Sequence, residues 1–155
     1  MPKRERKVPK IDETDRRIIS ILQDDARQSN AAIARTIDVS EATVRRRIKI
    51  MVDSGTLTIR AVPNPVKFGL NTTAMIGIDV EPDKLESVAN ALKVRDEVGF
   101  LGVSTGRYDL VSWVQVRDLD ELRLFLEVVS KIPGVRKTET LVLLDVKKRV
   151  AGRVS

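Results

Sequence analysis

The chain has 155 residues, a net charge of +6 and 42% hydrophobic residues, enough for one domain or two small ones around a real core. It holds no cysteine and no histidine, which excludes disulfides and thiolate metal sites and removes the commonest general base, metal ligand and near-neutral pH switch. The expectation is a cytoplasmic, non-enzymatic protein with no catalytic residue, no metal site and no cofactor; no apolar run approaches the ~20 residues of a membrane span, and the basic start lacks the apolar centre of a signal peptide.

Charge is unevenly shared. Residues 1–62 carry 14 Lys/Arg against 9 Asp/Glu, so nearly all of the surplus lies there. That asymmetry points to a polyanionic partner for the first half. Residues 1–11, with two prolines and many charges, read as a basic disordered arm.

Asp12 precedes Glu13-Thr14-Asp15, an N-cap with acidic residues in the first turn. Ile18, Ile19, Ile21 and Leu22 then form an apolar stripe, so a first helix runs to about Ala26. Ser29-Asn30 caps a short second helix, Ala31–Ile37, with Ala34 small enough for close packing. Asp38-Val39 makes a tight turn, and Ser40 caps a third helix that stops near Gly55. In the third helix Val44, Ile48 and Met51 share one face, Arg46 and Lys49 point away from it, Thr43 and Arg45 lie on the flanks, and Arg47 sits nearer the buried edge. Thr56–Val62 alternates and is rich in β-formers, which predicts a strand or wing. Pro63-Asn64-Pro65 opens a linker, 63–71.

Helix, short helix, tight turn, basic helix and wing is the layout of a winged helix-turn-helix over 12–62. Ser40, Thr43, Arg45, Arg46, Arg47 and Lys49 are the candidate contacts to double-stranded DNA. Arg46 is best opposed to the packed face and so is assigned a base edge, whereas Arg47 is assigned a phosphate, against an ion pair within the domain as the competing reading. Ser29 and Asn30 can offer backbone amides to a phosphate or serve only as caps.

The second half has another rhythm. A strand at 73–80 precedes a helix from Pro82 to about Arg95, with Leu85, Val88, Ala89 and Leu92 inward. Strands follow at 98–104 and 108–116. Asp118 caps a second helix with Leu119, Leu122, Phe125, Leu126 and Val129 buried, and a fourth strand runs from Val135 to about Lys147. The order β-α-β-β-α-β predicts a ferredoxin-like domain over 72–148, with a tail at 149–155, and an α+β chain overall. Both helices cover one sheet face. The other face, holding several of Ile76, Ile78, Leu101, Val111, Trp113, Leu141 and Leu143, is then apolar and open, which predicts a dimer through it. Between the second and third strands, Gly106 lets the backbone turn tightly. Tyr108 and Asp109 add polar groups beside it, although Gly106-Arg107-Tyr108-Asp109 also reads simply as a good hairpin turn. Thr138 and Thr140 are further candidates, though threonine is also a common strand residue.

The chain resembles the Lrp/AsnC regulators over about residues 11–148. The resemblance rests on Ile-Asp-Glu-Thr-Asp-Arg-Arg-Ile-Ile at 11–19, Asp-Ala-Arg-Gln-Ser-Asn-Ala-Ala-Ile-Ala at 25–34 and Val-Ser-Glu-Ala-Thr-Val-Arg-Arg-Arg-Ile at 39–48. It continues in Asn-Pro-Val-Lys-Phe-Gly-Leu at 64–70, Thr-Gly-Arg-Tyr-Asp-Leu at 105–110 and Ile-Pro-Gly-Val-Arg-Lys-Thr-Glu-Thr at 132–140. It implies a DNA-binding transcriptional regulator whose dimers build octamers or larger rings. It also implies an amino-acid effector held between dimers near Thr105, Gly106, Arg107, Tyr108 and Asp109, with Asp109 able to hold its α-ammonium group. The turn between the second and third helices departs from the pattern, with Asp38 where glycine is frequent; Asp tolerates the left-handed conformation better than most residues. Three rival readings stay open: an effector-independent chromosome-organising protein, a tetrapyrrole decarboxylase of the same fold pair, which the absence of histidine disfavours, and a metabolite sensor acting on another protein.

Overall fold

The computed structural model describes residues 10–147; most of the arm expected at 1–11 and the tail expected at 149–155 lie outside them. The chain divides into two compact units, the first ending at Ala61 and the second beginning at Val62.

The first unit is three helices: α1 (Glu13–Asp24), α2 (Asn30–Ile37) and α3 (Glu41–Asp53). Each begins where a short polar side chain takes up an otherwise unpaired amide. Asp12 accepts from the Asp15 N–H, Ser29 from Ala32 and Ser40 from Thr43, each cap adding about 1 kcal/mol. Asp12 and Asp15 form a reciprocal capping box. α2 ends at Asp38, whose φ of 59° and ψ of 56° are left-handed, the one such non-glycine among the described residues. That conformation turns the chain directly into α3. Ile18, Ile19 and Leu22 of α1, Ile33, Ala34 and Ile37 of α2, and Val44 and Met51 of α3 close the core, with Ile48 packed at its margin.

Residues 56–62 are not a strand. Leu57 packs against the helical core and its N–H reaches the Met51 carbonyl at 3.0 Å, but Thr56–Val62 pairs with no other segment among the described residues. Alternation shows which side chains would share a face; a strand also needs a neighbour for its backbone.

The second unit opens with a 3₁₀ turn at Pro65–Phe68, capped by Asn64 and closed by Gly69 at φ 81°. This gives part of the expected linker regular structure. Then follow β1 (Thr72–Val80), a 3₁₀ turn at Pro82–Lys84, α4 (Leu85–Leu92), β2 (Val98–Val103), β3 (Leu110–Val116), α5 (Leu119–Ser130) and β4 (Val135–Leu143). The sheet order is β2-β3-β1-β4 with all neighbours antiparallel, the ferredoxin-like arrangement. The helix expected over 82–95 is shorter, because Pro82 starts a 3₁₀ turn and the chain leaves the helix after Leu92.

Register decides which face each strand residue takes. Ala74, Ile76, Ile78 and Val80 of β1 face α4 and α5, with Leu110, Val114 and Val116 of β3 beside them and Val88, Leu92, Leu122, Phe125 and Val129 above. Ile76, Ile78 and Leu101 therefore belong under the helices, not on the open face. The open face carries Met75, Gly77, Phe100, Val111, Trp113, Leu141 and Leu143, as the pairings Phe100↔Trp113, Met75↔Trp113 and Met75↔Leu141 require. Leu119 is 63% exposed rather than buried, since the first residue of α5 lies beyond the sheet-facing stripe.

Candidate functional site: the third helix and the β2–β3 turn

On α3 the consecutive arginines fall about 100° apart and meet three different surroundings. Arg45 pairs with Glu41 one turn earlier, and Lys49 with Asp53 at 3.0 Å. Both pairs are exposed and each contributes only ~0.3–0.5 kcal/mol, so a phosphate can exchange for either carboxylate at little cost. Arg46 is exposed and makes no ion pair or side-chain hydrogen bond with the described residues. Arg47 turns inward: its Nη1 lies 2.6 Å from Asp12 Oδ2 and 3.2 Å from Asp15 Oδ2. Arg47 thus makes the intradomain ion pair that its place near the buried edge of α3 allows. The Asp15 backbone N–H, with Arg47 adding to it, holds the Asp12 carboxyl below its ordinary pKa.

The hydroxyls are occupied as caps. Ser40 Oγ accepts from the Thr43 N–H at 3.1 Å and lies 2.8 Å from Thr43 Oγ1. Ser29 Oγ accepts from the Ala32 N–H at 3.1 Å. Ser29 and Asn30 stand at the start of α2, Ser29 exposed and Asn30 half-buried.

In the second unit the β2–β3 turn folds back over the open sheet face. Gly106 has φ 105°, and Thr105, Gly106 and Arg107 are exposed. The Ser104 hydroxyl donates to the Tyr108 carbonyl at 2.6 Å, and the Asp109 N–H to the Ile78 carbonyl at 3.0 Å, so the turn is tied to both β2 and β1. The Tyr108 ring lies directly on Gly77, where any Cβ would fall 2.5 Å from the ring. Arg107 stacks 5.3 Å above that ring and pairs with Glu139 of β4 at 2.6 Å. Partial burial, then the hydrogen bond of its hydroxyl with Glu139, raises the Tyr108 pKa above its ordinary value. Asp109 Oδ2 accepts from the Val80 N–H at 2.8 Å, at the irregularity in β1–β4 pairing between Asp79 and Val80.

Thr138 and Thr140 pair with Ile78 and Ile76, so both sit on the helix-covered face, across the sheet from Tyr108. Thr138 instead lines a groove of about 410 Å³ along α5 with Leu119, Leu122, Arg123, Leu126, Glu127 and Ser130. The candidates thus separate into the turn and the two threonines. Sequence reasoning missed Gly77 and Glu139. Nothing local to either position reveals that strand pairing sets both beneath Tyr108. Among the described residues no cluster of three or more acidic side chains is placed to hold a metal ion, and no helix is long and apolar enough to cross a membrane.

Residues 11–52 match the AsnC-type helix-turn-helix domain, and residues 73–151 match the Lrp/AsnC ligand binding domain. An HTH-type transcriptional regulator of Pyrococcus furiosus is 43% identical over 146 residues, 93% of this chain and 99% of that protein. The regulator FL11 of Pyrococcus abyssi is 36% identical over 89% of this chain and 92% of its own length. The solved structure of Escherichia coli AsnC superposes with a TM-score of 0.85 at 28% identity, covering 93% of this chain and 99% of that one. A Neisseria meningitidis regulator solved as an L-Met complex shares the fold at TM-score 0.85 and 22% identity, over 94% of this chain and 96% of that one. The chain belongs to the Lrp/AsnC family of helix-turn-helix transcriptional regulators. It is a DNA-binding protein that joins a helix-turn-helix unit to a ligand-binding domain.

Proposed function

We propose that this regulator reads a specific duplex sequence with α3 and that an amino acid or similar small metabolite modulates it. The observation behind the first part is Arg46, an exposed guanidinium with no ion-pair or hydrogen-bond partner among the described residues, on a helix that buries Val44 and Met51 behind it. A free fork of this kind suits bidentate contact with a guanine edge. Thr43, Arg45 and Lys49 flank it as contacts to base or backbone, and Ser29, Asn30 and Ser40 supply helix-start amides and hydroxyls for phosphates. The ligand-binding domain and the L-Met complex of the Neisseria relative support an amino-acid effector. Thr105, Gly106, Arg107, Tyr108 and Asp109 are the contacts proposed for it, with Thr138 and Thr140 as the outlying pair.

The open apolar sheet face supports a homodimer. Paired recognition helices would then enter successive major grooves, and dimers would assemble into octamers or other rings. Acting on DNA, the protein works in the cytoplasm. An effector changes DNA occupancy only insofar as it binds one assembly more tightly than another. The test is an amino-acid panel scored by thermal shift beside light scattering, with DNA binding measured with and without each hit. A shift from one amino acid that also moves DNA affinity supports the reading. Sequence-tolerant DNA coverage with no shift from any amino acid would favour an effector-independent chromosome-organising role.

A further inference from the structure

We infer that Arg47 is a positioning residue for sequence reading, a strut between α3 and the start of α1, rather than one of the DNA contacts. The inference rests on α3 being the helix that reads DNA. The two carboxylates that Arg47 meets are already fixed by α1. Asp12 Oδ1 accepts from the Asp15 N–H at 3.0 Å, and Asp15 Oδ2 accepts from the Asp12 N–H at 3.2 Å. The capping box thereby holds both acids rigidly, and the remaining oxygen of Asp12 takes the short contact to Arg47.

Burial sets the direction of the argument. The Asp15 side chain is 6% exposed and that of Arg47 28%. A phosphate attracts Arg47, but withdrawing the guanidinium would leave Asp15 as a buried carboxylate without its counter-ion, and that loss is the larger one. Arg45 and Lys49, paired with exposed acids, face no such penalty. α1 also grips the other half of the motif: Arg17 donates to the Thr36 carbonyl at 3.3 Å and the Ile37 carbonyl at 3.5 Å, at the end of α2. One helix thus fixes both sides of the turn at Asp38. Arg46 is the neighbour of Arg47 on α3, so rotation of α3 about its axis is resisted by the strut and would swing Arg46 off its target.

The two assignments of Arg47 predict opposite signs for one substitution. Asp12→Asn keeps the cap, since Asn caps as well as Asp, but removes one carboxylate from Arg47 and one negative charge from the domain. If Arg47 gripped phosphate, freeing it would tighten binding. A strut loses aim, so binding weakens. The full-length protein is used, with a duplex that the wild type selects from a random-sequence library, at several salt concentrations. Asp12→Asn is expected to weaken binding by about 3-fold and Arg47→Met by about 10-fold or more. The slope of log affinity against log salt should stay within about 0.3 of wild type for both, where a lost phosphate contact lowers it by about 0.9. Arg47→Lys, which restores the charge, should recover most of the Arg47→Met loss. Tighter binding by Asp12→Asn, or a slope reduced by about one unit in Arg47→Met, overturns the inference while leaving the DNA-binding function intact. A wild type that selects no duplex overturns the sequence-reading proposal and this inference with it. Should Arg47→Met fail to fold, Asp12→Asn and Arg47→Lys decide the matter.

Discussion

Gly77→Ala places one methyl group where the structure has no room for it. The new Cβ would lie 2.5 Å from Tyr108 Cγ and Cδ2 and 2.7 Å from Cε2. These are the root and flank of the ring, so the side chain cannot yield by moving only its tip. Either the β2–β3 turn shifts or the ring swings off the sheet, taking with it the stacking of Arg107. Overpacking of this kind costs about 1–3 kcal/mol. The same exchange without the ring should stabilise, because alanine in a strand interior is favoured over glycine by about 0.5–1 kcal/mol. A double-mutant cycle with Tyr108→Ala therefore predicts a coupling of about 1.5–4 kcal/mol between positions 77 and 108. Trp113, the single tryptophan, sits in the second unit, so its fluorescence during urea unfolding reports that unit alone. Additive effects, or a Gly77→Ala protein as stable as wild type, would refute the claim that the ring rests on the Gly77 backbone.

Other outcomes test other parts of the molecule. Arg46→Ala should weaken specific DNA binding by about 1–3 kcal/mol and relax preference at one base position, as read by titration against the selected duplex and its single-base variants. Asp38→Val forces a β-branched residue to φ 59° and should destabilise the helical unit by about 1–2 kcal/mol, measured by thermal unfolding followed at 222 nm. The Asp12 carboxyl has a folded-state pKa below its unfolded value of 3.8, so its contribution is complete above that value and fades as pH falls through the lower folded one. The helical unit of Asp12→Asn should accordingly lose less stability than wild type as pH falls below about 4, compared by acid titration of the helical signal. Leu141→Arg puts a charge in the open sheet face beside Met75 and should shift a dimer toward monomer in sedimentation; unchanged mass would count against that face as the interface.

Local chemistry made much of this legible. Asp12, Ser29, Ser40 and Asp118 cap the helices that follow them because each offers a short oxygen to amides two or three residues on, a relation complete within one turn of chain. Gly106 and the left-handed Asp38 declared their turns for the same reason. The β-α-β-β-α-β order followed from element lengths and alternation, and Leu85, Val88, Ala89 and Leu92 were read inward from helical spacing. What misled was alternation without a partner. Thr56–Val62 has the pattern of a strand and no neighbouring strand among the described residues, and Ile76, Ile78 and Leu101 have the pattern of either face.

The sequence by itself determined that a basic three-helix unit precedes an α+β domain, and that the third helix presents cations opposite an apolar stripe. These are properties of neighbours along the chain, where spacing and geometry are fixed by the backbone period. Only the tertiary structure decided what each cation meets. Arg45, Arg46 and Arg47 are chemically identical and adjacent. They differ because one meets Glu41 four residues away, one meets no partner among the described residues, and one meets Asp12 and a buried Asp15, the latter 32 positions earlier. The Tyr108 ring on Gly77 beside Glu139 depends likewise on strand register. Partners distant in sequence are set by packing, and packing is where a repeated residue type acquires separate roles.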